Sequence, residues 1–116
     1  MELACVLVTC AAVLANAGIA AADLARAPFV LANSREVGVP AAWLRPLALL
    51  KAAGAAGLLL GLLGLRLLGV AAGLGLVLFY IGALAVHVRA RVLHNIAFPG
   101  LFLVLASGAL TMAAIV

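Results

Sequence analysis

Three polar side chains interrupt apolar stretches of this sequence at positions where they could do chemistry together. Lys51, Asn16 and Tyr80 each stand six or seven residues from the polar end of such a stretch. In a helix that rises about 1.5 Å per residue, this spacing places all three about 9–10 Å beyond that end. Side chains from three separate helices that reach one depth can line a common pocket.

Two carboxylates lie on the same side of the apolar stretches as these polar residues. Asp23 follows the first stretch, and Glu36 lies in the polar segment after it. An Asp23–Lys51 ion pair would tie the first helix to the second, whereas the alternative for Asp23 is an exposed and weak loop charge. We therefore take Asp23 and Glu36 as candidates for structural ion pairs.

Both histidines lie in one short segment, HVRARVLH, over residues 87–94. His87 and His94 are seven residues apart, so they share a face if the helix continues that far. Imidazole is a common metal ligand, but two neighbouring arginines disfavour a cation, and haem in a helical bundle needs deeper histidines on facing helices. A partly buried basic pocket for an anion or a quinone headgroup fits these residues better, and we predict no metal site. The candidate ligand-binding residues are Asn16, Lys51, Tyr80, His87 and Arg89.

Motifs of catalysis are missing from the sequence. There is no Ser/His/Asp set, no Walker loop and no pair of carboxylates placed for acid–base work. We therefore predict no catalytic residue and no intrinsic cofactor. Enzymatic activity of the chain alone is not expected.

The elements that position these residues are predicted to be membrane-spanning helices. The 116 residues are 70% hydrophobic and 9% charged, whereas a soluble domain carries about 25% charged residues. A span needs about 20 apolar residues, and the apolar block over residues 41–88 would reach about 70 Å as one helix, so it must fold back. The sequence predicts an all-α integral membrane four-helix transmembrane bundle that forms one domain over residues 1–116. Its spans are predicted at about 3–22, 43–64, 67–88 and 95–115.

The loop over residues 23–42 is the one long connection. Pro28 suits the first position of a short helix, and Gly38 suits the position after its end. The residues between them mix apolar and polar side chains, as in helices that lie in the membrane interface. We predict a short interfacial helix in this loop.

Charge distribution predicts the orientation of the chain. Five of the six arginines fall on one side of the predicted spans, and only Arg66 falls on the other. Because positively charged short loops stay in the cytoplasm, loops 23–42 and 89–94 are expected there and both termini outside. The net charge of +4 has the same origin, so the expected partner is the lipid bilayer and not nucleic acid. A composition rich in Ala, Gly, Leu, Val and Arg suggests a high-GC, actinobacterial source, and the expected location is a bacterial inner (plasma) membrane.

Inside a membrane, the same polar residues also have plainer interpretations. Lys51 can extend its ammonium to the nearby interface, and His87 can anchor a helix there. Asn16 and Tyr80 can form an ordinary hydrogen bond between helices. An ionisable residue within a span is nevertheless a functional-site hypothesis by default.

Glycine spacing predicts how two of the spans pack. Gly54, Gly57, Gly61 and Gly64 follow one another at intervals of three or four residues. Small residues let helices approach closely in lipid, so spans two and three are expected to form a tight hairpin. Glycine-rich faces also favour further association, as a homodimer or within a larger membrane complex.

Four segments, taken in their order and spacing, resemble the DoxX-like family of small bacterial membrane proteins. The resemblance implies a four-helix membrane bundle with an ionisable residue at Lys51 and a His-x-Arg at His87 and Arg89. This chain departs at Asp23, where many relatives carry a basic residue, and at Arg91, where many carry an acidic one. The segments are AGIAAADL (17–24), GVPAAWLRP (38–46), LLKAAGAAGLLLGL (49–62) and GLVLFYIGALAVHVR (75–89).

The resemblance also suggests what such a chain does. Some relatives look like subunits of membrane redox systems, among them thiosulfate:quinone oxidoreductases, and a distant animal relative acts in receptor assembly. The first hypothesis is a non-catalytic accessory subunit of a membrane redox system that binds quinone. The alternative is an assembly or interaction protein that chaperones or scaffolds a larger membrane partner. A small transporter is less favoured, because Glu2 is at the terminus and no acidic residue falls within a span.

Overall fold

The computed structural model describes residues 2–115, and 84% of these residues are helical. Four of its helices are long and apolar enough to cross a membrane, and the described residues contain no strand. The predicted all-α four-helix membrane bundle, with a short additional helix in the first loop, is therefore confirmed. The elements are α1 (Leu3–Leu24), α2 (Pro28–Glu36), a 3₁₀ turn (Ala41–Trp43), α3 (Leu44–Leu62), α4 (Arg66–Arg89) and α5 (Ala97–Ile115).

The four long helices form an antiparallel bundle. Helix α1 packs against α3 and α5, and α4 packs against the same two helices, so α1 and α4 lie diagonally opposite. The fold measures 41 × 24 × 19 Å, and its long axis exceeds the hydrocarbon thickness of about 30 Å. The core between the helices is built from small and branched apolar side chains together with one tyrosine, namely Ala12, Leu58, Leu76, Tyr80, Ala106 and Ala109.

Glycines bring α3 and α4 into backbone contact. A Cβ placed on Gly61 would lie 2.5 Å from the Cα of Gly69, and one placed on Gly57 would lie 2.6 Å from the Cβ of Ala72. In lipid, such close approach replaces the missing hydrophobic drive between helices with dispersion contacts. Gly64 is not part of this seam, because it lies in the turn after α3 with φ +120°.

Two arginines with a left-handed backbone conformation end α1 and α4 at the polar end of the bundle. Helix α4 stops because Arg91 adopts φ 57°, and the next amide, of Val92, donates to the carbonyl of His87. Arg26 ends α1 in the same way with φ 54°. Because α4 ends at Arg89, the helical face that would have joined His87 to His94 does not form.

Candidate ligand-binding site

A cavity of about 580 Å³ lies at the end of the bundle where α1 and α4 finish and α3 and α5 begin. Helix α2 and the 3₁₀ turn contribute to its wall from the first loop. Its volume falls among those of small-molecule pockets, about 300–1,000 Å³. Aromatic side chains from α2, the 3₁₀ turn, α4 and α5 supply much of the lining: Phe29, Trp43, Phe79, Tyr80, Phe98 and Phe102.

An ion pair joins α1 to α3 at the cavity wall. The Nζ of Lys51 lies 2.5 Å from the Oδ2 of Asp23, and the two side chains are only 11% and 4% exposed. The same Nζ lies 5.4 Å from the centroid of the Phe79 ring, within the range of a cation–π contact. Each charge therefore offsets the cost of burying the other, and Lys51 is held by its neighbours and does not reach out to an interface.

A hydrogen bond crosses the bundle diagonal directly beneath the cavity. The Tyr80 hydroxyl donates to the Oδ1 of Asn16 at 2.5 Å, and the Asn16 amide donates to the carbonyl of Ala12 at 2.9 Å. Asn16 is fully buried and does not line the cavity, whereas the Tyr80 ring does. Asn16 is thus a positioning residue that fixes the tyrosine.

His87 lines the cavity and has a buried polar atom without a partner among the described residues. Its ring is 4% exposed, and its Nδ1 lies 2.9 Å from the carbonyl oxygen of Ala83, one turn earlier on α4. A carbonyl oxygen only accepts, so Nδ1 carries the proton of this bond. The Nε2 atom is buried and has no hydrogen-bond partner within residues 2–115.

A second lining residue, Asn95, has a buried polar atom without a partner among the described residues, whereas the Oδ2 of Asp23 is satisfied by the ammonium of Lys51. The amide of Asn95 donates to the Oδ1 of Asn33 at 2.7 Å, which leaves its own Oδ1 without a donor in that same part of the chain. Buried polar groups are normally paired, so two such atoms around one cavity are consistent with a site that a ligand completes.

The loops close over this end through a second set of contacts. Glu36, at the end of α2, lies 3.2 Å from the Nε2 of His94, and both side chains are partly exposed. Together with the Asn33–Asn95 bond, this pair ties the first loop to the segment after α4. Arg89 is exposed at the end of α4 and is not part of the lining.

The structure thus brings together Lys51, Tyr80, His87 and Asp23 around one cavity, with Asn16 behind the tyrosine, and leaves Arg89 outside it. Sequence reasoning missed the amides and aromatic residues of the wall. The sequence carries two signals for them. Asn95 stands just before the last apolar stretch, and Phe98 and Phe102 follow it four residues apart. The missed residues include Asn33, Asn95, Phe98 and Phe102.

Other candidate sites are weaker. A second cavity, of about 220 Å³, lies at the opposite end, where Arg66 donates to the carbonyls of Ala113 and Ala114 at the end of α5. Its charged group is therefore already occupied in capping a helix. Among residues 2–115, no three His, Cys, Asp or Glu side chains come together as metal ligands do.

Comparison with known proteins gives a family. Neither a curated protein nor a solved structure matches the chain significantly. The model of the DoxX-like family matches residues 7–109, and every residue that lines the larger cavity falls within this match. This multi-pass membrane chain therefore belongs to the DoxX-like family.

Proposed function

We propose that this protein is a non-catalytic accessory subunit of a quinone-linked membrane redox system and that its cavity holds the quinone headgroup. The observation that carries the proposal is the cavity itself: aromatic walls inside a membrane bundle, with buried polar atoms that lack partners at one end. Ligand pockets combine an apolar lining with a few convergent polar groups in this way. A bicyclic or monocyclic headgroup has both the flat apolar faces and the polar oxygens that such a lining accepts.

The residues present fit such a group. The aromatic side chains can hold the ring between their faces, and the buried Nε2 of His87 can accept a hydrogen bond from a ring hydroxyl. Lys51 keeps ammonium hydrogens beyond the one directed at Asp23, and these can serve a second oxygen. A bound quinone would supply the transfer of electrons and protons within the bilayer. The protein's own residues orient the ring, exclude water and keep the charge of Lys51 balanced.

A cavity-filling variant with a matched control tests the binding. Gly82 lines the cavity, and a Cβ there meets nothing within 4 Å, so Gly82→Leu fills the cavity without disturbing α4. Gly75 lies on the same helix, is equally open and does not line the cavity. A short-chain naphthoquinone, offered in oxidised and in reduced form, should bind the native protein and Gly75→Leu but not Gly82→Leu.

The accessory role is tested in membranes. Deleting the gene should lower quinone-linked oxidation by isolated membranes, and Gly75→Leu should restore it where Gly82→Leu does not. If neither form of the quinone binds while the chain still co-purifies with a large membrane partner, the assembly role is the better account. If Gly82→Leu binds and restores as the native chain does, the cavity is not the site.

We also propose the orientation and association that the charge pattern and the accessory role call for: a bacterial plasma membrane, loops 23–42 and 89–94 in the cytoplasm, both termini outside, and a homodimer or larger complex. Single cysteines, in a background with Cys5 and Cys10 replaced by serine, test the orientation. Leu63→Cys, in the exposed turn after α3, should react with an impermeant thiol reagent in intact cells. Arg35→Cys, exposed on α2, should react only after permeabilisation. Cross-linking in membranes tests the association.

A further inference from the structure

Two buried atoms of cavity-lining residues are hydrogen-bond acceptors that have no donor among the described residues. They are the Nε2 of His87 and the Oδ1 of Asn95, whereas the Oδ2 of Asp23 is held by the ammonium of Lys51. Each belongs to a residue that lines the same cavity. A buried acceptor without a donor carries an uncompensated desolvation cost. The molecule that completes this site must therefore bring hydrogens to donate.

The hydrogen bond to the main chain fixes the polarity of His87. Because Nδ1–H donates a hydrogen bond to the carbonyl of Ala83, a neutral ring has a lone pair, and not a proton, at Nε2. Neither described carboxylate at this end of the bundle is free to balance an imidazolium there. Asp23 is paired with Lys51, and Glu36 is paired with His94. His87 thus accepts.

The hydrogen-bond donors in the cavity wall do not reverse the preference for a ligand that donates hydrogens. Lys51 has ammonium hydrogens left over, but these can serve the oxygen of a hydroxyl as well as that of a carbonyl. The Tyr80 hydroxyl is already donating to Asn16. The acceptors alone distinguish a ligand that carries hydroxyl hydrogens from one that does not.

We infer that the site selects the reduced, hydroquinone form of its ligand over the oxidised quinone, with a hydroxyl of the hydroquinone donating to the Nε2 of His87. This inference rests on the proposed quinone function and specifies its redox state. The two carbonyl oxygens of a quinone only accept, so one of them would face the His87 lone pair and leave that nitrogen unsatisfied. The two hydroxyls of the hydroquinone supply the missing hydrogens.

Three ligands of nearly equal size and apolar area separate the possibilities. They are 2-methyl-1,4-naphthohydroquinone, the corresponding quinone, and the dimethyl ether of the hydroquinone, which keeps the rings but has no donor. Binding to the full chain in detergent is followed anaerobically through Trp43, the single tryptophan, which lines the cavity. A tryptophan ester in the same micelles corrects for collisional quenching.

The hydroquinone should bind about ten- to a hundredfold more tightly than either the quinone or the dimethyl ether, which is the range set by one or two buried hydrogen bonds. Equal affinity for hydroquinone and quinone would overturn the inference and leave the proposed function standing. Tighter binding of the quinone would also overturn it and would place a proton on Nε2. Failure of all three ligands to bind would instead count against the proposed function.

Variants of the two histidines locate the preference. His87→Leu should bring the affinity for the hydroquinone down to that for the quinone, and His87→Gln, which restores an acceptor, should recover part of the difference. His94→Gln is the matched control, because that side chain is 66% exposed and does not line the cavity. A preference that survives His87→Leu would overturn the assignment to this residue. The comparison of ligands on the native chain stands even if His87→Leu does not fold.

Discussion

Removing one member of the Asp23–Lys51 pair should cost the bundle far more than removing both. The two side chains are 4% and 11% exposed, and the charged atoms are 2.5 Å apart. Asp23→Asn or Lys51→Met alone leaves one buried charge without its partner. Such a loss costs about 3–5 kcal/mol in protein interiors, and a lone charge at the centre of a span costs about 2.5–3.5 kcal/mol on insertion scales. We therefore expect about 3 kcal/mol for each single variant.

The double variant Asp23→Asn/Lys51→Met should recover most of that loss, because no charge is left buried. Replacing a whole buried pair by neutral residues is often neutral or even stabilising. The free energy of unfolding is measured by titrating SDS into mixed micelles and following helix loss by circular dichroism. Glu36→Gln is the control: its pair with His94 is half-exposed, so it should cost about 0–1 kcal/mol. Single effects that simply add in the double variant would refute the pairing argument.

Three further substitutions test the packing that holds the site. Gly61→Val should destabilise by about 1–3 kcal/mol, since its Cβ would meet the backbone of Gly69, whereas Gly75→Val should change little; a melt of both in detergent compares them. Tyr80→Phe should cost about 0.6–1.7 kcal/mol, the range of interhelical hydrogen bonds in a membrane, in the same SDS titration. Arg91→Gly removes the cost of a left-handed side chain, about 1 kcal/mol, and should raise the melting temperature; an unchanged or lower value would contradict that account.

The depth of the polar residues could be predicted from the sequence because it follows from helix rise alone. Helix rise predicts Lys51, Asn16 and Tyr80 at one level, and the structure places Lys51 in an ion pair and the other two in one hydrogen bond. The α3–α4 seam followed from glycine spacing for the same reason. Both inferences need only the geometry of single helices and the thickness of a bilayer.

The cover of the cavity could not be predicted in this way, because it depends on where the chain leaves the helical conformation. A non-glycine residue with φ 57° ends α4 at Arg89, so the following segment leaves the helix axis and runs to α2. No local propensity marks Arg91 for that role. The contacts of Asn95 with Asn33 and of His94 with Glu36 join segments about sixty residues apart and depend on this stop.

Stability and binding are carried by different parts of the chain, and one pair of residues belongs to both. The glycine seam between α3 and α4 contributes no residue to the cavity wall, whereas Gly82 and His87 line the cavity without taking part in that seam. Asp23 and Lys51 hold α1 to α3 and also line the cavity. Loss of binding in a variant of this pair would therefore not separate a broken site from a loosened bundle. Only substitutions such as Gly82→Leu and His87→Gln can assign ligand recognition, because they change the cavity while the contacts that hold the helices together stay in place.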